Sequence, residues 1–575
     1  MKYILLVLLL PTAAFGSELS IGPIGINSAG LRGPGNEPLN GAGVKIGLTE
    51  FLRPADPDVD SASGLPNSTV NPTQVTLQRA APTPGDIGPL PIPPNFDIYS
   101  HSTYVASVMI GTNGGVSQGA ELYADGFITD DYDDQLLSQQ FIARVGLGTE
   151  HPMRVINASW GNDVEQPSAT QLSNGFDWIA SRYDVLNVMA LNDEEAPDAD
   201  VPGTSLNGIT VAASQRVDGT GDYRQQVNGD VDYNLEVNEV ELIAPGVGIQ
   251  VFGLNNMSSS RDGSSYAAPH VVGTTALLHQ YANLELARPG TTWDSTAAHR
   301  HEVMKAVLLN SADKLAGVNG STRTVVDFAG FSWEDSIAKD DPQTPLDPYF
   351  GAGHLNAKRA VQQFSAGQQS ASIAPLGWAY NETAGLGTFH TYTFSETLSG
   401  DVSITLAWDA FVDKAGPSES IYGTGDIFFG AMTDNLELYL LPVGWTSLAQ
   451  AVGESSSPVS NVEHIFVQDI PSGDYEILVH QVDGNDRKYG LAWWFGDGPV
   501  DVPGDFDKDG DVDQDDLGEW KSGFGTTYDG ADFLDWQRNY GTTSVASVPE
   551  PSTLILSVLG LAALCRRRSS NSMAS

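Results

Sequence analysis

The segment Asp262-Gly263-Ser264-Ser265-Tyr266-Ala267-Ala268-Pro269-His270 leads into an apolar, helix-like run through Leu278. A serine at a helix start can cap the free N–H groups of the first turn, a task for which serine is a preferred residue. It can also be a nucleophile whose oxyanion is stabilised by those N–H groups and the helix dipole. A second chemical pattern lies near the C-terminus, in Asp505-Phe506-Asp507-Lys508-Asp509-Gly510-Asp511-Val512-Asp513-Gln514-Asp515-Asp516. It sets oxygen ligands at loop positions 1, 3, 5, 9 and 12, glycine at 6 and an apolar residue at 8, as a calcium loop requires. Asp505, Asp507, Asp509, Asp511, Asp513 and Asp516 are the candidate ligands, and a solvated acidic turn is the alternative.

The order of blocks along the chain decides between the two serine readings. Subtilisin-like proteases carry Gly-Thr-Ser-Met-Ala-Ala-Pro-His where this chain has Gly263 to His270, and six of eight positions match. The chain resembles that family, and the resemblance makes Ser265 the nucleophile and His270 a structural residue. Ser100-His101-Ser102-Thr103-Tyr104-Val105-Ala106-Ser107 resembles the family's histidine motif, Gly-His-Gly-Thr-His-Val-Ala-Gly. His101, the only histidine before residue 150, would then be the general base that takes the Ser265 proton and returns it to the leaving amine.

The family's acid stands at the end of a Val-Ala-Val-Leu-Asp-Thr-Gly strand, and the matching segment here is Ile46-Gly47-Leu48-Thr49-Glu50-Phe51-Leu52. Glu50 thus replaces aspartate, and a carboxylate one methylene longer can still accept the His101 Nδ1–H and stabilise the imidazolium. Asp56, Asp58 and Asp60 are the alternatives, beyond Pro54 in a turn-rich stretch. Val188-Met189-Ala190-Leu191-Asn192-Asp193 aligns Asn192 with the family's oxyanion amide, with Leu191 in place of a glycine. Ser159, Trp160 and Gly161 close the segment Val155 to Gly161, which resembles the strand that pairs with an extended substrate. Trp160 and Leu191 imply a restricted specificity pocket. Gly115 to Tyr123, Leu242 to Gly246 and Gly351 to Ala357 match further landmarks, so the resemblance spans residues 28–364.

These residues imply a serine endopeptidase acting on polypeptides, with no cofactor for catalysis. The competing reading is an inactive scaffold of the same fold, serving as a calcium-stabilised surface or matrix protein. The altered acid favours it, and so does the short stretch between residues 16 and 41, which leaves no room for the inhibitory propeptide common in the family.

The elements that must hold such a site are legible in the texture of the chain. Short apolar runs such as Val44 to Leu48, Arg154 to Asn157 and Gly208 to Val211 alternate with helix-like stretches, the rhythm of a parallel sheet with crossover helices. The expected fold is α/β, a subtilisin-like parallel sheet with helices on both faces over residues 17–366. An all-β sandwich is expected over 367–498, where strands such as Val402 to Trp408 and Tyr475 to Val479 are separated by turn residues. It resembles the sandwich domains that follow bacterial secreted peptidases. Residues 501–543 repeat Asp516, Trp520, Phe524 and Gly525 as Asp532, Trp536, Tyr540 and Gly541. Each copy is expected to carry a helix with an aromatic core stripe, the first copy to hold one calcium ion, and the loop resembles those of dockerins, whose partners are cohesins.

Composition bounds the partners and the compartment. With 72 acidic against 28 basic residues in 575, the formal charge is −44, a field that repels nucleic acid. Lys2, the apolar run Ile4 to Leu10, Pro11 and the small residues near Gly16 read as a signal peptide over residues 1–16. Cys565 is the single cysteine, so no intramolecular disulfide forms. Residues 547–575 combine Val548-Pro549-Glu550-Pro551, an apolar stretch and Arg566-Arg567-Arg568. That tail resembles a PEP-CTERM sorting signal, implying an exosortase-like processing enzyme. Its apolar stretch is shorter than the roughly 20 residues of a spanning helix, so a secreted protein with a transient anchor is expected.

Overall fold

A computed structural model describes residues 21–51, 75–77, 100–496 and 504–540, apart from 23–24, 113, 128–130, 164–167, 192–199, 218–221, 227–239, 254–257, 322, 433, 505, 507–511, 513, 525–527 and 529. The expected signal peptide, Asp56, Asp58, Asp60, Asn192, the ligands Asp505, Asp507, Asp509, Asp511 and Asp513, and the sorting tail lie outside the described residues.

The apolar runs form one nine-stranded sheet. Its strands are β1 (Lys45–Phe51), β2 (Val75–Leu77), β3 (Glu121–Phe127), β4 (Met153–Ala158), β5 (Leu186–Ala190), β6 (Ile209–Arg216), β7 (Tyr223–Gln225), β8 (Leu242–Pro245) and, after the ribbon β9 (Ile249–Phe252) and β10 (Ser258–Arg261), β11 (Val325–Val326). The order is β11-β7-β6-β5-β4-β1-β3-β2, with β8 also beside β6. All pairings but β6 with β7 are parallel. Parallel strands need crossovers, and the helices α1 (Ser100–Ile110), α2 (Tyr132–Ala143) and α3 (Ser168–Tyr183) supply them. With both sheet faces covered, β4 and β5 are buried almost throughout, which is why they read as continuous apolar runs. Helix α4 (Ser264–Leu286) follows the ribbon and is buried from Ser264 to Ala282 apart from Ser265, then α5 (His301–Asn310) and α6 (Ala357–Ser365) complete this layer.

The strand-rich region forms two further sheets and a hairpin. Its strands are β12 (Ser372–Ile373), β13 (Leu376–Glu382), β14 (Phe389–Phe394), β15 (Leu398–Trp408), β16 (Phe411–Ala415), β17 (Ile427–Met432), β18 (Leu436–Pro442), β19 (Gly453–Ser455), β20 (Val462–Gly473), β21 (Tyr475–Gln481) and β22 (Lys488–Phe495). The orders are β12-β14-β21-β18-β19 and β13-β22-β15-β20, with β16 and β17 paired alone. The residues from Val402 to Trp408 are buried without alternation, because the four-stranded sheet is covered on both faces. One face packs on the five-stranded sheet, and the other joins the core of the first layer through Trp378, Ala407, Val462 and Ala492. Trp378 stacks on Phe364 of α6 at 5.2 Å and donates its indole N–H to the Phe364 carbonyl at 2.9 Å. The hairpin lies on α3, where the Gln171 side chain bonds both the N–H and the carbonyl of Phe428. The described residues up to 496 accordingly form one compact unit.

A separate unit contains α7 (Gln514–Gly523) and α8 (Gly530–Asn539). The repeated aromatics pack between these helices, Trp520 against Phe533 at 4.7 Å, and Trp536 against Phe533 at 5.5 Å. Phe524 and Tyr540, at the outer ends of the stripe, are more than half exposed. Among the described residues no helix is long and apolar enough to cross a membrane.

Candidate active site

Three elements converge at the carboxyl ends of the central strands, where open α/β sheets place their sites. Glu50 is the penultimate residue of strand β1, and its side chain is buried, with 1% of the residue exposed. Glu50 Oε2 accepts from His101 Nδ1 at 3.3 Å, and His101 sits in the first turn of α1 with a quarter of its side chain exposed. Burial raises the Glu50 pKa, against the pull of His101 and of the Phe51 N–H. Burial alone would lower the His101 pKa, but the Glu50 carboxylate outweighs it, and the net shift is upward. Both shifts describe a carboxylate and an imidazole that share a dry contact. Glu50 Oε1 is buried with no hydrogen-bond partner among the described residues.

The third element is the start of α4. Gly263 precedes it with φ of 140°, a backbone conformation that a side chain would strain, and this turn delivers Ser264 and Ser265 to the helix entrance. The N–H of Ser265 belongs to the first turn, whose donors have no acceptor within the helix. Pro269 lies inside α4 and lacks the N–H that would otherwise bond the Ser265 carbonyl four residues back. The Ser159 hydroxyl takes that carbonyl at 2.9 Å, and the Ser265 hydroxyl donates to the Ser159 carbonyl at 3.3 Å. Asn157 at the end of β4 donates to the Ser159 hydroxyl at 2.8 Å and fixes its direction. The serine turn is therefore clasped to the end of β4. Tyr266, the next residue, packs its ring 5.7 Å from the His101 ring, which brings the α1 and α4 entrances together.

The other predicted residues divide clearly. His270 is buried, pairs its Nδ1 with the Tyr266 carbonyl at 2.8 Å, and is pushed down to about 4 by burial, so it is a neutral structural group. Trp160 is 9% exposed and packs edge-on against Phe127 at 4.7 Å, and Gly161 is exposed. Leu191 turns into a buried cluster with Ala212, Val240 and Leu315, and its carbonyl accepts the Ser264 hydroxyl. The backbone just before Asn192 is thereby tied to the serine turn, although Asn192 lies outside the described residues. Sequence reasoning passed over the Ser159 clasp, whose only trace is Pro269 within a helix. It also passed over the pair Tyr104 and Arg261, where the Arg261 guanidinium lies 4.9 Å from the Tyr104 ring centre.

The carboxylate bonded to the imidazole and the serine at a helix entrance follow one another along the chain as acid, histidine and serine, the residue types and order that a subtilisin-type triad for acyl transfer uses. Residues 91–329 match the Subtilase family, and residues 547–569 match the PEP-CTERM protein-sorting motif. Subtilisin BL of Lederbergia lenta is 26% identical over 306 residues, 52% of this chain and 93% of that protein. Subtilisin-like protease 2 of Arthroderma otae is 30% identical over 202 residues, 34% of this chain and 44% of that protein. The solved structure of the prenylagaramide maturation protease PagA aligns over 56% of this chain and 93% of its own, with a TM-score of 0.36 and 17% identity. Residues 91–329 thus resemble a subtilase-family domain, and residues 547–569 resemble a PEP-CTERM protein-sorting motif.

Proposed function

We propose that the protein is an exported serine endopeptidase that hydrolyses peptide bonds through an acyl-enzyme on Ser265. The observation that carries this reading is the buried Glu50 carboxylate bonded to His101 Nδ1, because it places the ring proton on Nδ1 and makes Nε2 the basic nitrogen. The Ser265 hydroxyl turns from the Ser159 carbonyl toward His101 and attacks the substrate carbonyl as His101 removes its proton. Catalytic hydrogen bonds are often long or misaligned until substrate binds. His101 then protonates the leaving amine, and water enters by the same route to release the acid. The oxyanion is received by the Ser265 N–H and the Asn192 amide, a donor whose loss typically costs about 3 kcal/mol in the transition state. Incubating the protein with an unfolded polypeptide and mapping the new termini by mass spectrometry tests the reading. Internal cleavage by wild type and none by Ser265→Ala is expected. No cleavage by wild type favours the inactive scaffold.

The sorting motif and the kinship to subtilisins support an extracellular or cell-surface location, with an exosortase as the processing enzyme. Calcium in the loop of residues 505–516 belongs to the same proposal. Asp516 is fully buried and its Oδ1 accepts the Phe506 N–H at 2.5 Å, so the last loop position folds back on the second, which supports a closed loop. Asp505, Asp507, Asp509, Asp511, Asp513 and Asp516 would hold the ion, which would neutralise a run of like charges and order the loop. Calcium is expected to raise the melting temperature of this unit, and Asp507→Ala to abolish the increase. An equal response in that variant would dismiss the site.

A further inference from the structure

The ribbon β9–β10 leads directly into the serine turn, and its last residue, Arg261, is an exposed cation four positions before Ser265. Its guanidinium stacks on Tyr104 at 4.9 Å from the ring centre and donates from Nη2 to the Tyr104 hydroxyl at 3.4 Å. Tyr104 follows His101 by one helical turn in α1 and is itself held from behind. A Cβ on Gly253 would lie 2.6 Å from its ring, so only glycine lets the ribbon close on it. The Ser107 hydroxyl bonds the Tyr104 carbonyl at 2.7 Å and accepts the Phe252 N–H at 3.0 Å, which fastens α1 to the ribbon. Arg261 is thus a cation in a fixed place beside the general base. It has no carboxylate partner among the described residues. The adjacent carboxylate, Asp262, is engaged with the Gly248 N–H at 2.7 Å.

His101 delivers its proton to the leaving amine, so groups lining its helix face the part of the substrate that departs. Resting on the proteolytic reading above, we propose that Arg261 is a specificity-determining residue that selects substrates bearing a carboxylate within the first two residues after the scissile bond. Arginine suits this task, since its fork receives both oxygens of a carboxylate and its charge is permanent. The formal charge of −44 opposes any acidic peptide at long range. That field is screened beyond about 8 Å at physiological salt, however, whereas a docked carboxylate contacts the guanidinium directly. The positive field of Arg261 also lowers the His101 pKa, in keeping with its place beside the base.

The test uses the full chain and three quenched fluorescent peptides, identical except for Glu, Gln or Lys after the cleavage point. Wild type is expected to cleave the Glu peptide about fivefold faster in kcat/KM than the Gln peptide, the modest gain of a single exposed ion pair. The preference should shrink as salt is raised, persist in Arg261→Lys, vanish in Arg261→Gln and turn to the Lys peptide in Arg261→Glu. Equal rates for the three peptides in wild type overturn the proposal, and so does an undiminished Glu preference in Arg261→Gln. Fluorophosphonate labelling of Ser265 runs alongside. Labelling without any Glu preference removes only the role of Arg261, whereas absent labelling and absent cleavage remove the proteolytic reading and this one together.

Discussion

At the scale of the residue, the proposed triad is unusual in using glutamate as the orienting acid. Its carboxylate reaches His101 Nδ1 at 3.3 Å, so one extra methylene does not prevent the contact. The pH dependence follows from the upward shift of His101. The base must be neutral to accept the serine proton, so kcat/KM should fall as pH drops through a midpoint above about 6.5, the ordinary histidine value. Arg261→Gln should move this midpoint up, because a cation that disfavours imidazolium is removed. A midpoint well below 6.5 in wild type would separate Glu50 from the base. Much of this was legible in the chain. Ser265 and His101 stand in motifs whose order is informative, whereas Glu50 precedes the segment that matches the family, and its assignment rests on its strand and its contact.

At the scale of the element, the serine turn depends on a hydrogen bond that the helix cannot make for itself. Pro269 leaves the Ser265 carbonyl to Ser159. Ser159→Ala should strand a sheltered acceptor at about 1–3 kcal/mol and lower kcat more than it raises KM. Adding Pro269→Ala supplies an N–H at the fourth residue on, so the double variant should recover part of the loss. Measured stability of the two single variants and the double checks this, and strict additivity would contradict the clasp. The parallel sheet was readable from its apolar runs, since burial on both faces removes alternation. The same effect misleads in β15, where continuous burial reports helix α5 against a strand that a free sandwich would leave half wet.

At the scale of the whole molecule, the sandwich and the nine-stranded layer share their core and a buried charge network. His301 of α5 bonds Asp184 and Asp409, each at 2.8 Å, while Arg300 pairs with Glu302 at 2.6 Å and with Asp184 at 3.5 Å. Burial opposes the His301 cation, but Asp409, Glu302 and Asp184 outweigh it and carry its pKa well above the usual value. A raised histidine contributes stability that is complete below the unfolded value near 6.5 and is lost as pH climbs through the folded one. The melting temperature should therefore fall on the alkaline side. His301→Gln should abolish that dependence and cost about 3–5 kcal/mol, the penalty of a broken buried pair. Truncation after residue 366 should leave Phe364 and Trp293 bare of Trp378 and yield insoluble or unfolded protein. A soluble, active fragment would make the sandwich an appendage. The boundary at 366 is visible in sequence as a change of texture, but the shared core is not, because contacts such as Trp378 on Phe364 leave no periodic trace.

The most direct measurement is the second-order rate of fluorophosphonate labelling for wild type, Ser265→Ala and Glu50→Gln, with the adduct located by mass spectrometry. Wild type should be labelled on Ser265, Ser265→Ala not at all, and Glu50→Gln slower by about 10⁴, the loss seen when a triad acid becomes an amide. Labelling of Ser265→Ala, or labelling of Glu50→Gln at the wild-type rate, would contradict the triad of Glu50, His101 and Ser265.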